Sequence, residues 1–476
     1  MSFAIRLHSG AILIAFLLST VGAHGQQLTP HPIHLANGNR LVLNLPADFT
    51  IGVAAQGLKR IRFMAKSPDN RIFATDMHDL GDNTLGKVYI LDEWNEKTGT
   101  FAKITPYLEH LRNPNNLAFY TEPGQDGKPG QSWLYLPLTD RLLRYRYNSG
   151  DNAPSGPPEV LAHYPDYGLN YKYGGWHLTR TVAFARLHGK TRLYVTVGSS
   201  CNACREKEEV RATLTVMDPD GSHLEIVARG LRNAVGTEFV ASIDGGALFA
   251  TNMGADHLGN HAPEDTFFEL DNNGHPIPPG SNYGWPTCYF ENGQAHADRL
   301  ISDPQPTDHV VPAPPAGPAP PQFDCTKIPA VYTTFAAHSS PLGVEYFDSA
   351  NGALADTFLV ALHGASHVEI GTGYKVVRFS VRNRQPEDFV TGFLVSGKVK
   401  GRPCGILRMG RDAFLLTDDR DGVVYYVHAR QAALTATSAS RTSTSLGPVD
   451  FKTLSDPPDY SSWSVTHDWA LLPQRW

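Results

Sequence analysis

Charge is scarce in this sequence: Asp, Glu, Lys and Arg make up 18% of its 476 residues, and the net charge is −6. No cationic field exists to drive phosphate binding, which argues against nucleic acid as a partner. Long apolar runs are scarce too. The segment Ala11-Ile-Leu-Ile-Ala-Phe-Leu-Leu18 is too short for an ordinary membrane span, and no later stretch reaches the required length. Preceded by Arg6 and followed by the small residues Val21-Gly-Ala23, it has the three-part layout of a secretory signal peptide. Residues 1–25 are therefore set apart from the fold, and the rest of the chain is expected to be exported, either secreted or periplasmic, with no membrane span. Helical periodicity is hard to find beyond that point. At 41% hydrophobic and 10% aromatic residues, the composition excludes a coiled coil, a collagen and a wholly disordered chain.

Cysteine is limited to Cys201, Cys204, Cys288, Cys325 and Cys404. Export makes disulfides the default expectation. Cys201-Asn-Ala-Cys204 has the spacing of a redox pair or of half a zinc site. No second C-x-x-C follows, however, and no βαβ pattern surrounds it, so a local disulfide pinning a loop is favoured. Arg205 follows Cys204, so the haem-attachment pattern C-x-x-C-H is missing. Cys288 and Cys325 flank a Pro-rich excursion that a bridge between them would staple. Cys404 is left over and is expected to be buried as a small hydrophobe.

Turn residues, by contrast, are plentiful, with 43 Gly and 35 Pro, and short β-rich runs recur between them. Six runs look alike: Arg71-Ile-Phe-Ala-Thr75, Trp133-Leu-Tyr-Leu-Pro137, Arg192-Leu-Tyr-Val-Thr196, Ala247-Leu-Phe-Ala-Thr251, Thr357-Phe-Leu-Val-Ala361 and Ala413-Phe-Leu-Leu-Thr417. Their second residues are separated by 62, 59, 55, 110 and 56 positions. A repeat of this size, each unit a small antiparallel sheet, predicts an all-β fold, a six-bladed β-propeller. The doubled interval holds residues 302–321, whose prolines cannot donate ladder hydrogen bonds. It is read as a Pro-rich insertion between blades four and five. The segments Pro32-Ile-His-Leu-Ala36 and Arg40-Leu-Val-Leu-Asn44 are expected to complete the last blade. The propeller is assigned residues 26–430, and the Ser/Thr-rich stretch that follows makes 431–476 a C-terminal tail.

A propeller gathers side chains from several blades around one channel, so the polar, non-repetitive residues at blade entrances are the candidates for chemistry. Gly174-Gly-Trp-His177-Leu-Thr-Arg180 places an imidazole after two permissive glycines, suited to taking a proton near neutral pH; a hydrogen-bonded structural histidine is the alternative. Strand alternation puts His177 and Thr179 on one face and Arg180 on the other. Gly230-Leu-Arg232-Asn233-Ala-Val-Gly236 offers a planar donor fork plus an amide for a carboxylated or quinonoid ligand, or else a solvated surface turn. The loop from Asn252 to Asp265 collects carboxylates and exposed carbonyls of the kind calcium takes, without the spacing of an EF-hand. Simple solvation accounts for that loop equally well. Tyr283 and Trp285 either form a platform for a ring or pack between blades. His338-Ser-Ser-Pro-Leu-Gly343, Leu362-His363-Gly364 and Gly401-Arg402-Pro403 sit at the ends of late blades.

Taken in order, these motifs, together with Val197-Gly-Ser-Ser-Cys-Asn-Ala-Cys204, Asn282-Tyr-Gly-Trp-Pro286 and Arg402-Pro-Cys-Gly405, resemble the quinoprotein glucose/sorbosone dehydrogenases, most of all the sorbosone dehydrogenase-like branch. The resemblance runs from about residue 60 to 428. It implies a six-bladed propeller that holds pyrroloquinoline quinone (PQQ) and calcium (Ca2+) in its channel. It also implies His177 as catalytic base, Arg232, Asn233, His338, His363 and Arg402 as cofactor-binding residues, and Gly254, Ala255 and Asp256 at the metal. Two positions depart from the glucose dehydrogenases: Ser199 falls where they carry the aspartate that orients the base, and His363-Gly364 where they carry a cofactor-binding lysine. The activity implied is hydride transfer from a sugar or sugar-derived alcohol or aldehyde to the quinone, with an external electron acceptor to follow. A calcium-dependent propeller hydrolase or lactonase, and a non-catalytic binding propeller, are the rival expectations.

Overall fold

The computed structural model describes residues 27–125, 128–166, 177–299 and 323–430. The expected signal peptide, the Pro-rich stretch 302–321 and the tail 431–476 lie outside the described residues. Six antiparallel sheets of four principal strands are arranged as a β-propeller. Their innermost strands are, in chain order, Ile61–Lys66, Ala118–Thr121, Arg180–Leu187, Ala234–Val240, Pro341–Phe347 and Pro403–Gly410. All six runs read from the sequence are the second strands of these blades. A second strand is covered on both faces by the neighbouring blades, so it reads as a continuous apolar run instead of an alternating one. Ile72–Asp76 and Ala247–Asn252, for example, are buried at every position. Fourth strands such as Glu159–His163 are largely exposed and leave little signal.

Two details of connectivity differ from the sequence reading. The last blade is closed by Phe49–Ala55, which pairs with Val423–Ala429, and not by residues 32–36 or 40–44. Those earlier residues form their own hairpin, Leu28–His34 with Arg40–Pro46. It seals the outer edge of blade five through the reciprocal Asn44 and Thr391 backbone bonds (2.9 and 3.0 Å), with Leu41 and Leu43 buried in the cluster that holds Phe389 and Phe393. All three segments alternate apolar residues, so local pattern could not choose among them. The insertion likewise lies within blade four, between its third strand, Asp265–Asn272, and its fourth, Thr333–Phe335. A three-residue strand is too short to register as a run.

Blades are joined by rings and by threonines. Where blades four and five meet, Phe358 and Tyr332 contact Phe249, Phe267 and each other edge to face at centroid distances of 5.0–5.9 Å, while Phe249 and Phe267 stack at 5.5 Å. Each such pair contributes about 0.5–1.5 kcal/mol beyond the area it buries. The threonine next to last in a second strand then reaches the next blade's entrance. Thr75 Oγ1 donates to Asn115 O (2.6 Å), Thr251 Oγ1 to Leu342 O (3.0 Å) and Thr417 Oγ1 to Arg62 O (2.6 Å). Adjacent innermost strands approach so closely there that a Cβ on Gly343 would run into the carbonyl of Cys404. The glycine that ends the His338–Gly343 motif is thus explained by backbone proximity.

A candidate active site in the axial cavity

The innermost strands converge on a cavity of about 440 Å³ at one end of the channel, within the roughly 300–1,000 Å³ usual for small-molecule sites. A single rule places most of its wall. The residue immediately before an innermost strand lines the cavity in five of the six blades: Arg60, Thr179, Asn233, Ser340 and Arg402. In three of these the polar residue ending the second strand holds the backbone in position. Asp76 accepts from Arg60 N (3.0 Å), Asn252 from Asn233 N (3.1 Å) and Asp418 from Arg402 N (2.8 Å). Burial pushes the Asp418 carboxyl up to about 7.

His177 lines this cavity. Its Nδ1 lies 3.1 Å from Ser199 O and 2.9 Å from Ser199 Oγ, and that hydroxyl donates onward to Cys201 O (2.7 Å). A carbonyl only accepts, and the hydroxyl proton is already committed, so Nδ1 carries the proton and Nε2 the lone pair. Burial, and then the neighbouring Arg232 charge, hold the imidazole well below its ordinary pKa. His177 is therefore a neutral imidazole of defined tautomer. Ser199 orients it without a carboxylate, through one main-chain and one side-chain oxygen. Arg180, as expected from alternation, turns away and is buried against Pro165 O and the carbonyls of His177 and Thr179.

The opposite wall is cationic. Asp419, fully buried, accepts from His363 Nε2 (2.8 Å) and Arg62 Nη1 (2.6 Å) and lies 3.4 Å from Arg60 Nη1. Burial opposes its charge, but His363 together with the guanidinium groups of Arg62 and Arg60 outweighs it and holds the carboxyl far below the usual range. Arg402 donates to the carbonyls of Gly364 (2.9 Å) and Ala365 (3.0 Å) and to the Tyr374 hydroxyl (3.1 Å), with its guanidinium over the Tyr374 ring. No carboxylate among the described residues pairs with the Arg402 side chain. With Arg60, Arg62, Arg402 and Arg420 on the wall and Asp419 behind it, positive charge is in excess. Two buried atoms of lining residues, Arg60 Nε and Asn233 Oδ1, have no hydrogen-bond partner among the described residues. Buried polar atoms are ordinarily satisfied, so this wall is suited to a polar ligand that brings acceptors to its guanidinium groups and a donor to Asn233 Oδ1.

Arg232 and His338 stand beside the cavity and not on its wall. Both are joined to the half-exposed Asp256: Arg232 Nη2 lies 3.1 Å from Oδ2, and His338 Nδ1 lies 3.0 Å from Oδ1. Burial works against the Asp256 charge, but Arg232 and His338 outweigh it and hold the carboxyl down to about 2. The bond to Asp256 in turn raises the pKa of His338. Gly254 N donates to Asp265 (2.7 Å), whose other oxygen accepts from Ser340 N (2.7 Å). His338 and Ser340 adopt left-handed backbone, with φ of 63° and 54°, a conformation that costs non-glycine residues about 1 kcal/mol or more and is held here by those bonds.

Of the residues singled out in the sequence, His177, Asn233, His363 and Arg402 meet at one cavity. Arg232, His338, Gly254, Ala255 and Asp256 form the adjoining cluster. Tyr283 packs against Phe268 at 4.8 Å and is buried, so it forms no platform; the Trp285 indole instead donates to Asn202 O (2.9 Å). Both disulfides form as expected, Cys201 with Cys204 and Cys288 with Cys325, and Cys404 is buried and free. Among the described residues the one group of three side chains spaced to share an ion is Cys201, Cys204 and Glu206, and its cysteines are spent in the disulfide. Arg60, Arg62, Asp419 and Asn202 went unnoticed. Arg60 was legible in principle, since it holds the same place in the repeat as Asn233 and Arg402.

A six-bladed propeller whose axial cavity is lined by a neutral histidine and several arginines is the class that fold and site define. The chain belongs to the TrAA12-like family, which matches residues 122–392. This bears out, at the level of family and fold, the resemblance read from the motifs. No curated protein matches. Among solved structures, the chain is similar to the Trichoderma reesei Carbohydrate-Active Enzymes Family AA12 protein in its iodide structure (16% identity, TM-score 0.59, 81% of this chain and 97% of that one). It is similar also to that protein's calcium structure (16%, 0.59, 86% and 100%). A third is the holo form of the pyranose dehydrogenase PQQ domain from Coprinopsis cinerea (17%, 0.58, 82% and 97%). Among the described residues no helix is long and apolar enough to cross a membrane.

Proposed function

We propose that the protein is an exported quinoprotein oxidoreductase that oxidises a sugar or sugar-derived alcohol or aldehyde in the axial cavity. One observation carries this reading: a neutral histidine of defined tautomer shares a roughly 440 Å³ cavity with an arginine wall whose charge the protein does not cancel. Family membership and the likeness to a PQQ domain support it.

A tricarboxylated quinone fits this donor set. Arg402, Arg60 and Arg62 would meet its carboxylates, the unpartnered Asn233 Oδ1 and Arg60 Nε would gain polar partners, and His363, backed by Asp419, would line the same wall. Bound there, such a cofactor supplies the hydride acceptor. The chain's own part is to place charge and to move one proton. His177 Nε2 takes the substrate hydroxyl proton, and Ser199 keeps the opposite nitrogen protonated so that the lone pair stays at Nε2. Burial and Arg232 keep that imidazole neutral and ready to accept. Calcium belongs to this reading through the backbone carbonyls of Gly254 and Ala255. Asp256 fits less well as a ligand, because its two oxygens already face the cations Arg232 and His338, and it is assigned here as their counter-ion.

The test is reconstitution of the purified protein with PQQ and calcium, read as dye reduction with a panel of aldoses and aldehydes and as the ultraviolet-visible spectrum of the quinone. Sugar-dependent dye reduction is expected. A spectrum unchanged by the protein, or ester hydrolysis in the absence of quinone, would overturn the proposal.

A further inference from the structure

The loop closed by the first disulfide sits at the centre of the polar cluster beside the cavity. Asn202 lies between Cys201 and Cys204, and four hydrogen bonds converge on its two oxygens. Its main-chain oxygen accepts from Arg232 Nε (2.8 Å) and from the Trp285 indole (2.9 Å). Its Oδ1 accepts from Arg232 Nη2 (2.8 Å) and from Asp256 N (2.8 Å). One edge of the Arg232 guanidinium is therefore held by both oxygens of a single residue, in the two-point geometry that a carboxylate ordinarily offers to arginine. Asn202 supplies that geometry without a negative charge, so this grip cancels none of the Arg232 charge, whose counter-ion is Asp256 on the other side. The backbone arm of this grip depends on the direction of one carbonyl, which a disulfide three residues across restrains. The same loop reaches His177: Cys201 O accepts the Ser199 hydroxyl whose oxygen meets His177 Nδ1.

We propose that Asn202, braced by the Cys201–Cys204 disulfide, is a positioning residue that holds the Arg232 guanidinium beside the base His177. The inference rests on the reading of His177 as the base but makes its own physical claim, because the charge that Arg232 places next to the imidazole can be read without any cofactor. Among the described residues, the charged groups that bear most on His177 are Arg232 and Asp256 from blade four and Arg180 at the start of blade three. Of these, Arg232 is, after burial, the strongest influence against protonation. A guanidinium released from Asn202 keeps its bond to Asp256, which draws it outward toward that half-exposed carboxylate. Repulsion on the imidazole then weakens, and His177 titrates at a higher pH.

The experiment follows the His177 imidazole resonance of the full-length protein by NMR as pH is varied, with the resonance assigned by its loss in His177→Gln. Arg232→Gln removes the charge and sets the upper limit of the shift. Asn202→Ala and the double variant Cys201→Ser/Cys204→Ser are each expected to move the midpoint upward, part of the way to that limit. Cys288→Ser/Cys325→Ser, which breaks the distant disulfide, is expected to leave it in place. In the Arg232→Gln background, Asn202→Ala is expected to add nothing, since its effect passes through the arginine. A midpoint in Asn202→Ala equal to the parent's would overturn the proposal, and so would an equal shift with and without Arg232. Should Asn202→Ala not fold, the cysteine variant is read against the same limit. The titration uses no quinone, so its outcome stands whether or not reconstitution yields a dehydrogenase.

Discussion

Replacing Asp419 by Asn tests the cationic wall by its effect on stability. The carboxylate is fully buried and is shared by Arg62 at 2.6 Å and His363 at 2.8 Å, with Arg60 at 3.4 Å. An asparagine of the same shape keeps one acceptor oxygen but loses the charge, and the Arg62 guanidinium, itself buried, is left without its counter-ion. Breaking one partner of a buried pair costs about 3–5 kcal/mol. For a fold of roughly 400 residues the unfolding entropy is about 0.8 kcal/mol per kelvin, so the melting temperature is expected to fall by about 4–6 °C at pH 7. The drop should persist in high salt, because a buried pair is poorly screened. The folded carboxyl titrates below its unfolded value of about 3.9. Its contribution is thus present above that pH and lost below it, and the gap between variant and parent should close as pH falls under about 4. Scanning calorimetry across pH and salt measures all three. Glu109→Gln, which removes a solvent-exposed ion pair with Lys87, serves as the control with no measurable change. An Asp419→Asn protein melting within about 1 °C of the parent at pH 7 would refute the argument that the charge is desolvated and needed.

Other consequences are as direct. His177→Gln should lower kcat of the reconstituted protein by about 10²- to 10⁴-fold with the melting temperature unchanged, and a variant retaining full dye-linked turnover would remove His177 from its role. Because the imidazole titrates below its ordinary value of about 6.5, the acid limb of kcat/KM should lie below pH 6.5, rates falling only as His177 becomes protonated; a limb at or above that pH contradicts the assignment. Ser199→Ala deletes the hydroxyl acceptor and leaves the Ser199 carbonyl at 3.1 Å, so kcat/KM should drop only about 3- to 10-fold, in line with roughly 1 kcal/mol for one hydrogen bond. A loss as deep as that of His177→Gln would mean that the hydroxyl alone sets the tautomer. Gly343→Ala should destabilise the fold by about 1–3 kcal/mol, because its Cβ meets the Cys404 carbonyl, whereas Gly52→Ala, with open space on that side, should stay within about 0.5 kcal/mol of the parent in denaturant titrations.

The blades were legible because a central strand buried on both faces leaves a continuous apolar run. Phe73, Leu134, Val195, Phe249, Leu359 and Leu415 all sit in such runs and are wholly buried. The cysteine pairs were legible for a different reason: three residues apart, or on either side of an excursion, partners are near in the chain or at the ends of one loop. Part of the site was legible through motif order, and His177, Asn233, His363 and Arg402 do share a cavity. Arg60, Arg62 and Asp419 were missed because the network they form joins residues more than 350 positions apart, and neither a lone Arg-x-Arg nor an Asp-Asp pair points to its partner.

From local pattern alone, the chain determined that it would form six small sheets with turns between them and two covalent staples. Those properties depend on apolar runs bounded by turn residues and on cysteines that lie near in the chain or at the two ends of one excursion. Tertiary structure decided which edge strand closes the ring, that the excursion departs from within blade four, and that Arg232 is gripped by Asn202 while Arg402 rests on carbonyls. The physical reason is that radial packing of the blades brings together the residue just before each innermost strand, and which charges then meet across the axis depends on the closure of the whole ring, a property that no single blade contains.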